Sequence, residues 1–378
     1  MFTRIVVLLS FVSFFTDVAS EMLYPIIPVY LQSIGYSALF LGVLESIAEA
    51  VTGISKAYLG ARSDVVGRRL PFVRAGYALS ALAKPLLVLF TSWWWVLATR
   101  SLERMGKGVR TGARDAMLAD QSTPETRGRI FGFHRAMDTA GAVIGPALAL
   151  FFLASFPAHY RELFLLTLVP GAIAVALLFG IREAKGSVPR RQGGRASVWS
   201  WKALPVPMRA FTGRMAVFFF FNSADTFLLL NMKRIGGTDT EVISAYILYN
   251  VVYAIASFPL GSLADRVGLR RVVVGGLLVF GAVYTGFSAV TSVWWCFVLF
   301  GLYGIYAAGT EGVAKAYVST LCAPEERGAT LGTYAAVQSV GLVMASILTG
   351  VLWTVVGAPA ALALSGMMAV VAAILLVL

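Results

Sequence analysis

Charged residues, cysteine and histidine are all scarce in this sequence of 378 residues. Only 13% of the residues are charged, against about 25% in an average soluble domain, while 58% are hydrophobic. This composition excludes an ordinary soluble domain and indicates a protein that crosses the membrane many times. The two cysteines, Cys296 and Cys322, lie in apolar stretches, so neither a disulfide framework nor a soft-metal site is indicated.

Basic residues outnumber acidic ones and give a formal net charge of +12. In a membrane protein this excess collects in cytoplasmic loops beside anionic lipid, so it does not indicate a nucleic-acid partner. The first apolar run is longer than a signal peptide and carries Asp17 and Glu21, so we expect no cleavable signal. The chain is still apolar at Leu378, which leaves open that a C-terminal tail follows.

Twelve apolar segments are each close to the ~20 residues that span a bilayer. A basic linker of residues 182–209 separates the first six from the last six, which predicts an N-terminal six-helix bundle of residues 1–181 and a C-terminal one of residues 210–378. The predicted spans are 5–32, 36–59, 71–91, 93–118, 129–153, 161–181, 210–232, 240–262, 271–291, 293–319, 328–352 and 357–378.

The loops predict the orientation of the chain in the membrane. Basic loops follow the even-numbered spans, and nearly neutral loops follow most of the odd-numbered ones. Positive charge stays on the cytoplasmic side, so both termini of this multi-pass protein are predicted to be cytoplasmic. We expect it in the cell membrane.

The two halves repeat at a separation of about 200 residues. "GARSDVVGRR" at 60–69 returns as "GSLADRVGLRR" at 261–271, and "PETRGRIFG" at 124–132 returns as "PEERGATLG" at 324–332. Several matches at nearly one offset indicate a duplicated six-helix unit, which is typical of transporters.

These features resemble the major facilitator superfamily over almost the whole chain. Its loop motif G-x-x-x-D-x-x-G-R-R is matched by Gly60, Asp64, Gly67, Arg68 and Arg69, and again by Gly261, Asp265, Gly268, Arg270 and Arg271. The resemblance implies an all-α fold with twelve transmembrane helices in two pseudo-symmetric six-helix bundles, which rock around a central cavity to give alternating access. We expect a monomer.

Two further signatures lie in spans 4 and 5. Arg104 and Gly108 match R-x-x-x-G, in which the family's arginine resembles a proton-coupling or substrate-facing charge. The span-5 glycine pattern is similar to that of antiporters that export drugs, and it is matched by Gly132, Gly141, Gly145 and Pro146. The residues predicted to take part in the conformational switch are Gly60, Asp64, Gly67, Arg68, Asp265, Arg270, Gly141, Gly145 and Pro146.

The stretch "GKGVRTGARDA" at 106–116 follows no strand and lacks the G-x-x-x-x-G-K-[ST] pattern, which excludes a nucleotide-binding loop. It continues a charged helical face of span 4 on which Glu103, Lys107, Arg110 and Arg114 recur every three or four residues. Charge at membrane depth is costly, so this face is predicted to meet water or acidic partners.

Acidic side chains for such contacts lie in spans 1, 2 and 5 of the N-terminal half. Burial raises the pKa of a carboxyl group, and nearby arginines lower it. Proton coupling needs a carboxyl group in which these two effects compete. We therefore predict a proton-coupling group of Asp17, Glu21, Glu49, Asp138 and Arg104.

The C-terminal half carries more tyrosine and asparagine in the matching positions. The N-terminal half is therefore rich in charged side chains, and the C-terminal half in aromatic and hydrogen-bonding ones. This combination would suit an amphipathic compound with a charged or polar head. The predicted substrate-binding residues are Glu45, Arg100, Lys107, Arg110, Arg135, Asn222, Asp225, Tyr246, Asn250, Tyr253, Tyr303 and Glu311.

These observations predict a secondary active transporter, not an enzyme, with no cofactor and no metal site, whose partners are a small molecule, protons and membrane lipid. Proton-coupled export of a small amphipathic compound is the leading hypothesis. One alternative is an anionic metabolite bound by the basic stripe of span 4, and another is a hard divalent cation held by acidic residues of spans 1 and 2. A non-transporting membrane sensor is a further alternative.

Overall fold

The computed structural model describes residues 2–24, 26–36, 38–157, 159–183, 201 and 204–378, and most of the predicted linker 182–209 lies outside these ranges. The regular structure in the described ranges is helical throughout. The helices that match the first six predicted spans are α1 (Arg4–Glu21), α2 (Ile26–Ser33), α3 (Ala38–Val66), α4 (Leu70–Leu86), α5 (Trp93–Asp120), α6 (Arg127–Ser155), α7 (Tyr160–Leu166) and α8 (Leu168–Phe179).

The helices that match the last six spans are α9 (Val206–Phe219), α10 (Thr226–Arg234), α11 (Asp239–Val267), α12 (Leu269–Ala289), α13 (Val293–Val318), α14 (Arg327–Val355) and α15 (Ala358–Val377). Seven helical segments among the described residues are long and apolar enough to cross a membrane. α5 is of similar length but is rich in charge, because it carries the stripe that begins at Arg100.

Three predicted spans are each built from two helices instead of one. Span 1 consists of α1 and α2, span 6 of α7 and α8, and span 7 of α9 and α10. In span 7 the interruption coincides with Asn222, Ser223 and Asp225, which are residue types that favour helix ends and turns over helix interiors.

The described helices pack into two compact units. The first holds residues 1–121, 137–203 and 322–336, and the second holds residues 122–136, 204–321 and 337–378. Each unit therefore includes the N-terminal end of a helix from the other half of the sequence. In the first unit α3 and α4 pack against α5, and in the second unit α11 and α12 pack against α13. The division at residues 182–209 stays a prediction.

The backbone shows the internal repeat directly. Gly67 follows α3 with a φ of 66°, and Gly268 follows α11 with a φ of 106°. Both values lie in the region that favours glycine, so each copy of the loop motif turns at its glycine for the same steric reason.

Candidate functional site

The interruptions of spans 1 and 7 fall at corresponding places in the two halves. α1 ends at Glu21 and α2 begins at Ile26, while α9 ends at Phe219 and α10 begins at Thr226. Paired interruptions of this kind in membrane transporters expose helix ends and backbone groups to a bound substrate. Three predicted site residues, Glu21, Asn222 and Asp225, lie at these interruptions.

A carboxyl pair lies in the first unit between α1 and α6. The carboxyl groups of Asp17 and Asp138 lie close enough to interact across the two helices. Ser13, one turn before Asp17, donates to Oδ1 of Asp138 over 2.8 Å. A hydrogen bond between two carboxyl groups requires a proton on one of them, so this contact can hold a single shared proton.

Two glycines of the span-5 pattern bring α6 close enough for this contact. A Cβ atom on Gly141 would lie 2.5 Å from the carbonyl oxygen of Phe14, and one on Gly145 would lie 2.7 Å from that of Val18. Neither position has room for a larger residue unless the helices move apart. Pro146 lies inside α6 directly after Gly145.

Ser13 also connects the carboxyl pair to α4 and α5. Arg114 Nη1 donates to Ser13 Oγ over 3.1 Å, and the hydroxyl groups of Tyr77 and Ser13 are 3.4 Å apart. Because Ser13 gives its one proton to Asp138, Tyr77 is the donor in the second contact. The remaining donors of Arg114 bond Asp115, with Nε 2.9 Å from its Oδ1.

The other predicted coupling residues lie around α5 in the same unit. Arg104 Nη1 is 3.9 Å from Oε2 of Glu49, and Arg100 Nη1 is 2.7 Å from Oε2 of Glu103. Glu21 interacts electrostatically with Arg104. The side chain of Glu45 lies outside the described part of the chain.

Glu103 is the buried centre of a group of basic side chains. It pairs with Arg100 and interacts electrostatically with Lys84, Arg104 and Lys107. Sequence reasoning missed Lys84, although a lysine inside the apolar run "ALAKPLLVLF" was a usable signal, since ionisable residues at membrane depth mark functional sites. Its Nζ donates to the carbonyl and hydroxyl oxygens of Ser80, each at 3.2 Å.

The second unit has an aromatic interior. Tyr303 donates to Oδ1 of Asp225 over 2.6 Å, and its ring lies 4.9 Å from that of Tyr249 and 5.2 Å from that of Tyr306. Tyr246 and Tyr253 continue this row of rings on α11.

Two asparagines lie in the same unit. Asn250 Nδ2 donates to the carbonyl oxygen of Tyr246 over 3.0 Å. Asn222 Oδ1 is enclosed and accepts no hydrogen bond from the residues that the structure describes.

Arg135 belongs to the second unit. Asp138 lies only three residues later on α6 but belongs to the first unit. Its Nη2 lies 3.3 Å from Oε2 of Glu311, and its guanidinium group contacts the ring and the hydroxyl group of Tyr253. The sequence predicts Arg135 as a substrate-binding residue on a span of the N-terminal half. The difference arises because α6 contributes one end to each unit.

The two loop motifs hold backbone amides at helix starts. Asp64 accepts from the N–H groups of Gly328 at 3.1 Å and Ala329 at 2.7 Å. Asp265 accepts from those of Gly128 at 2.6 Å and Arg129 at 2.8 Å. Both aspartates therefore bind the first turn of a helix, where the free N–H groups favour a negative charge.

The first copy adds a buried ion network to this arrangement. Arg69 Nη2 lies 3.3 Å from Oδ1 of Asp64, and Nη1 contacts Asp120, which also pairs with Arg327. Asp64 lies beyond the predicted span 36–59. Burial raises its pKa to about 6, while Arg69 and the two amides act in the opposite direction.

Other residues of the predicted switch lie beside these contacts. Arg68 is exposed, and Arg69 is the motif arginine that contacts Asp64. A Cβ atom on Gly60 would collide with the carbonyl group of Gly328. Arg270 is half-buried. The parts that Arg68, Gly60 and Arg270 play in a conformational switch stay predictions.

Among the residues that the structure describes, no cluster of three or more histidine, cysteine or acidic side chains has the arrangement of a metal site.

Comparison with known proteins identifies relatives over the whole chain. The sequence profile of the Major Facilitator Superfamily matches residues 9–232 and 210–378. An uncharacterized MFS-type transporter of Methanocaldococcus jannaschii is 35% identical over 356 residues, which cover 93% of this chain and 88% of that protein. The multidrug resistance protein MdtG of Dickeya zeae is 24% identical over 320 residues, which cover 82% of this chain and 76% of MdtG.

A solved structure confirms the fold. The human organic anion transporter MFSD10 superposes with a TM-score of 0.84, and the match covers 99% of each chain at 17% sequence identity. At this sequence identity the match supports a shared fold, and it does not indicate a shared substrate.

Proposed function

This chain belongs to the major facilitator superfamily and is a membrane transporter, and we propose that it exports a small amphipathic organic compound in exchange for protons. The two units would give alternating access to the substrate. We place the protein in the cytoplasmic membrane as a monomer with both termini in the cytoplasm.

The contact between Asp17 and Asp138 is the observation that carries the proposal. Two carboxyl groups in one hydrogen bond hold one proton, and they can release it when their separation or surroundings change. Ser13, Tyr77 and Arg114 fix the geometry of the pair through hydrogen bonds. Glu21, Glu49 and Arg104 would transmit the change in charge along α5.

The second unit supports an organic substrate. The tyrosine row offers ring faces and hydroxyl groups, and Asp225 and Asn222 add polar groups at the interruption of span 7. Binding sites for organic molecules combine apolar and aromatic surface with a few placed polar groups. Export is further supported by the relatives named as multidrug resistance proteins.

The test is transport by the purified protein in liposomes that enclose a pH-sensitive dye. With an imposed pH gradient, a panel of cationic, neutral and carboxylate-bearing amphipathic dyes is added, and proton and dye movements are recorded together. The proposal predicts that proton flux accompanies dye flux in the opposite direction. Dye transport that ignores the pH gradient would overturn it.

A second candidate is transport of an anionic metabolite. It is favoured by the basic groups Lys84, Arg100, Arg104 and Lys107 around the single acid Glu103. The same liposomes distinguish the two candidates, because an anionic metabolite would move when the dyes do not.

A further inference from the structure

Arg110 is a buried cation with unused hydrogen-bond donors. Its side chain is only 3% exposed. Nε and Nη1 are enclosed, and neither donates to any group in the described part of the chain. A guanidinium group that leaves water loses the hydrogen bonds that solvated it, so a buried one is normally paired. An anionic group would complete this site.

The ring of Tyr77 supports the guanidinium group from one side. The guanidinium carbon lies 4.3 Å from the ring centre, which is within the range of a cation–π contact. This contact stabilises the charge but accepts none of the in-plane N–H groups. Nε and Nη1 are therefore still available to donate to an anionic group.

The backbone holds Arg110 in place. A Cβ atom on Gly76 would lie 2.7 Å from the backbone nitrogen of Arg110, and one on Gly106 would lie 2.7 Å from the carbonyl oxygen of Gly76. α4 and α5 thus touch main chain to main chain beside Tyr77. A site held in this way needs little reorganisation when it binds its ligand.

The charges near Arg110 come from three helices. Asp17 on α1 interacts electrostatically with Arg110 and Lys107, and Lys84 on α4 interacts with Arg110 and Asp17. Lys107, one turn before Arg110 on α5, is exposed. If Asp17 and Asp138 share one proton, that pair carries one negative charge. Glu103, which interacts with Lys84 and Lys107, adds a second against the three cations. The surroundings of Arg110 then have an excess of positive charge.

We propose that Arg110, supported by Tyr77, is the subsite that binds a carboxylate group on the transported compound. The inference deepens the proposed transport function, because it gives the polar head of the substrate a chemical class. It also rests on the shared proton of that proposal for the local excess of positive charge. Arg110 would fix the head through charge-assisted hydrogen bonds from its unused donors Nε and Nη1.

Binding to the purified full-length protein in detergent tests the subsite without any transport step. The probes are acetate, benzoate, 2-naphthoate and decanoate, each compared with its own carboxamide by calorimetry at neutral pH. We expect at least one carboxylate to bind ~10-fold or more tightly than its carboxamide, since a hydrogen bond between charged groups is stronger than a neutral one. If no carboxylate binds in preference to its amide, the proposal is wrong.

Variants then assign the preference to Arg110. Arg110→Gln should remove the ~10-fold preference, and Arg110→Lys, which keeps the charge but loses the guanidinium donors, should keep only part of it. Arg74→Gln is the matched control. Arg74 lies on α4 with its guanidinium group over Phe179, and it donates to the carbonyl oxygens of Leu178 and Ile181. This control should bind like the wild type.

An unchanged preference in Arg110→Gln or in Arg110→Lys would overturn the assignment. If Arg110→Gln does not fold, Arg110→Lys decides alone. The outcome is separable from that of the proposed function. If carboxylates bind but no proton flux accompanies transport, proton exchange is rejected and the carboxylate subsite is kept. If dye transport is coupled to protons but no carboxylate binds, proton exchange is kept and the subsite is rejected.

Discussion

The two units have similar helices but different interiors. The first unit concentrates ionisable side chains, with the carboxyl pair of Asp17 and Asp138 linked by Ser13 to α4 and α5. The second unit has a row of tyrosines, with Asp225 bound to Tyr303. A duplicated fold has thus kept its backbone and diverged in its side chains. We infer that the first unit handles the proton and the second the organic part of the substrate.

The largest effect should come from the carboxyl pair. Asp17→Asn and Asp138→Asn should each abolish gradient-driven accumulation while they spare exchange of substrate down its gradient, because a single carboxyl group cannot share a proton with an amide. Asp225→Asn in the second unit is the control and should weaken substrate binding while proton coupling remains. Liposome assays with and without a pH gradient measure both. Full accumulation by both first-unit variants would remove the pair from the mechanism.

The next largest effect should come from the glycine contact behind the pair. Gly141→Ala should separate α6 from α1, since the new methyl group would lie 2.5 Å from the carbonyl oxygen of Phe14 and 3.1 Å from Cβ of Asp17. Gly341→Ala in the second unit is its counterpart, and it would press α14 against Phe219 where no carboxyl pair lies. Both variants should lower the melting temperature, but only Gly141→Ala should uncouple protons from substrate. Equal uncoupling by both would contradict the division between the units.

The two loop motifs should also differ, with the larger effect expected in the first unit. Asp64→Asn should slow the transport cycle with little loss of ligand affinity, because it leaves the buried Arg69 without one of its carboxylate partners. Asp265→Asn should be milder, since Asp265 forms no salt bridge in the described part of the chain and the amide oxygen can still accept from one of the two backbone N–H groups. Turnover and equilibrium binding are measured on both variants. Strong loss of binding in Asp64→Asn with normal turnover would reject this interpretation.

The smallest effect should come from Tyr303→Phe, which removes one hydrogen bond to Asp225 and keeps the ring. We expect a loss of roughly 1–2 kcal/mol in substrate affinity, which is typical of an unsatisfied buried acceptor. The ratio of protons to substrate should not change. Tyr306→Phe is the control for the loss of a hydroxyl group from the same row of rings. A changed proton ratio in Tyr303→Phe alone would connect the second unit to coupling.

Local sequence patterns predicted much of this structure. The positions of the helices, the repeat and the glycines of span 5 followed from apolar length and spacing, and the structure places Asp64 and Asp265 in equivalent contacts. These features depend on residues that are close in the sequence or on a motif that recurs. Asp17 and Asp138 were each selected for their charge at membrane depth, which is also a local property.

Contacts between helices that are far apart in the sequence could not be predicted from local patterns. The choice of Arg69 over its neighbour Arg68 depends on which side of the turn faces Asp120. The pairing of Arg135 with Glu311 depends on α6 contributing to both units, which spacing along one helix does not reveal. Ser13 carries no signal of its own, because a serine in an apolar span is also common as a packing residue.

Infrared spectroscopy of the purified protein at neutral pH tests the central claim most directly, since a protonated carboxyl group absorbs apart from carboxylates and amides. The account predicts a protonated carboxyl band in the wild type that is lost in both Asp17→Asn and Asp138→Asn and retained in Asp225→Asn. A wild type without this band, or a band that survives in both first-unit variants, would contradict the shared proton and with it the division of roles between the two units.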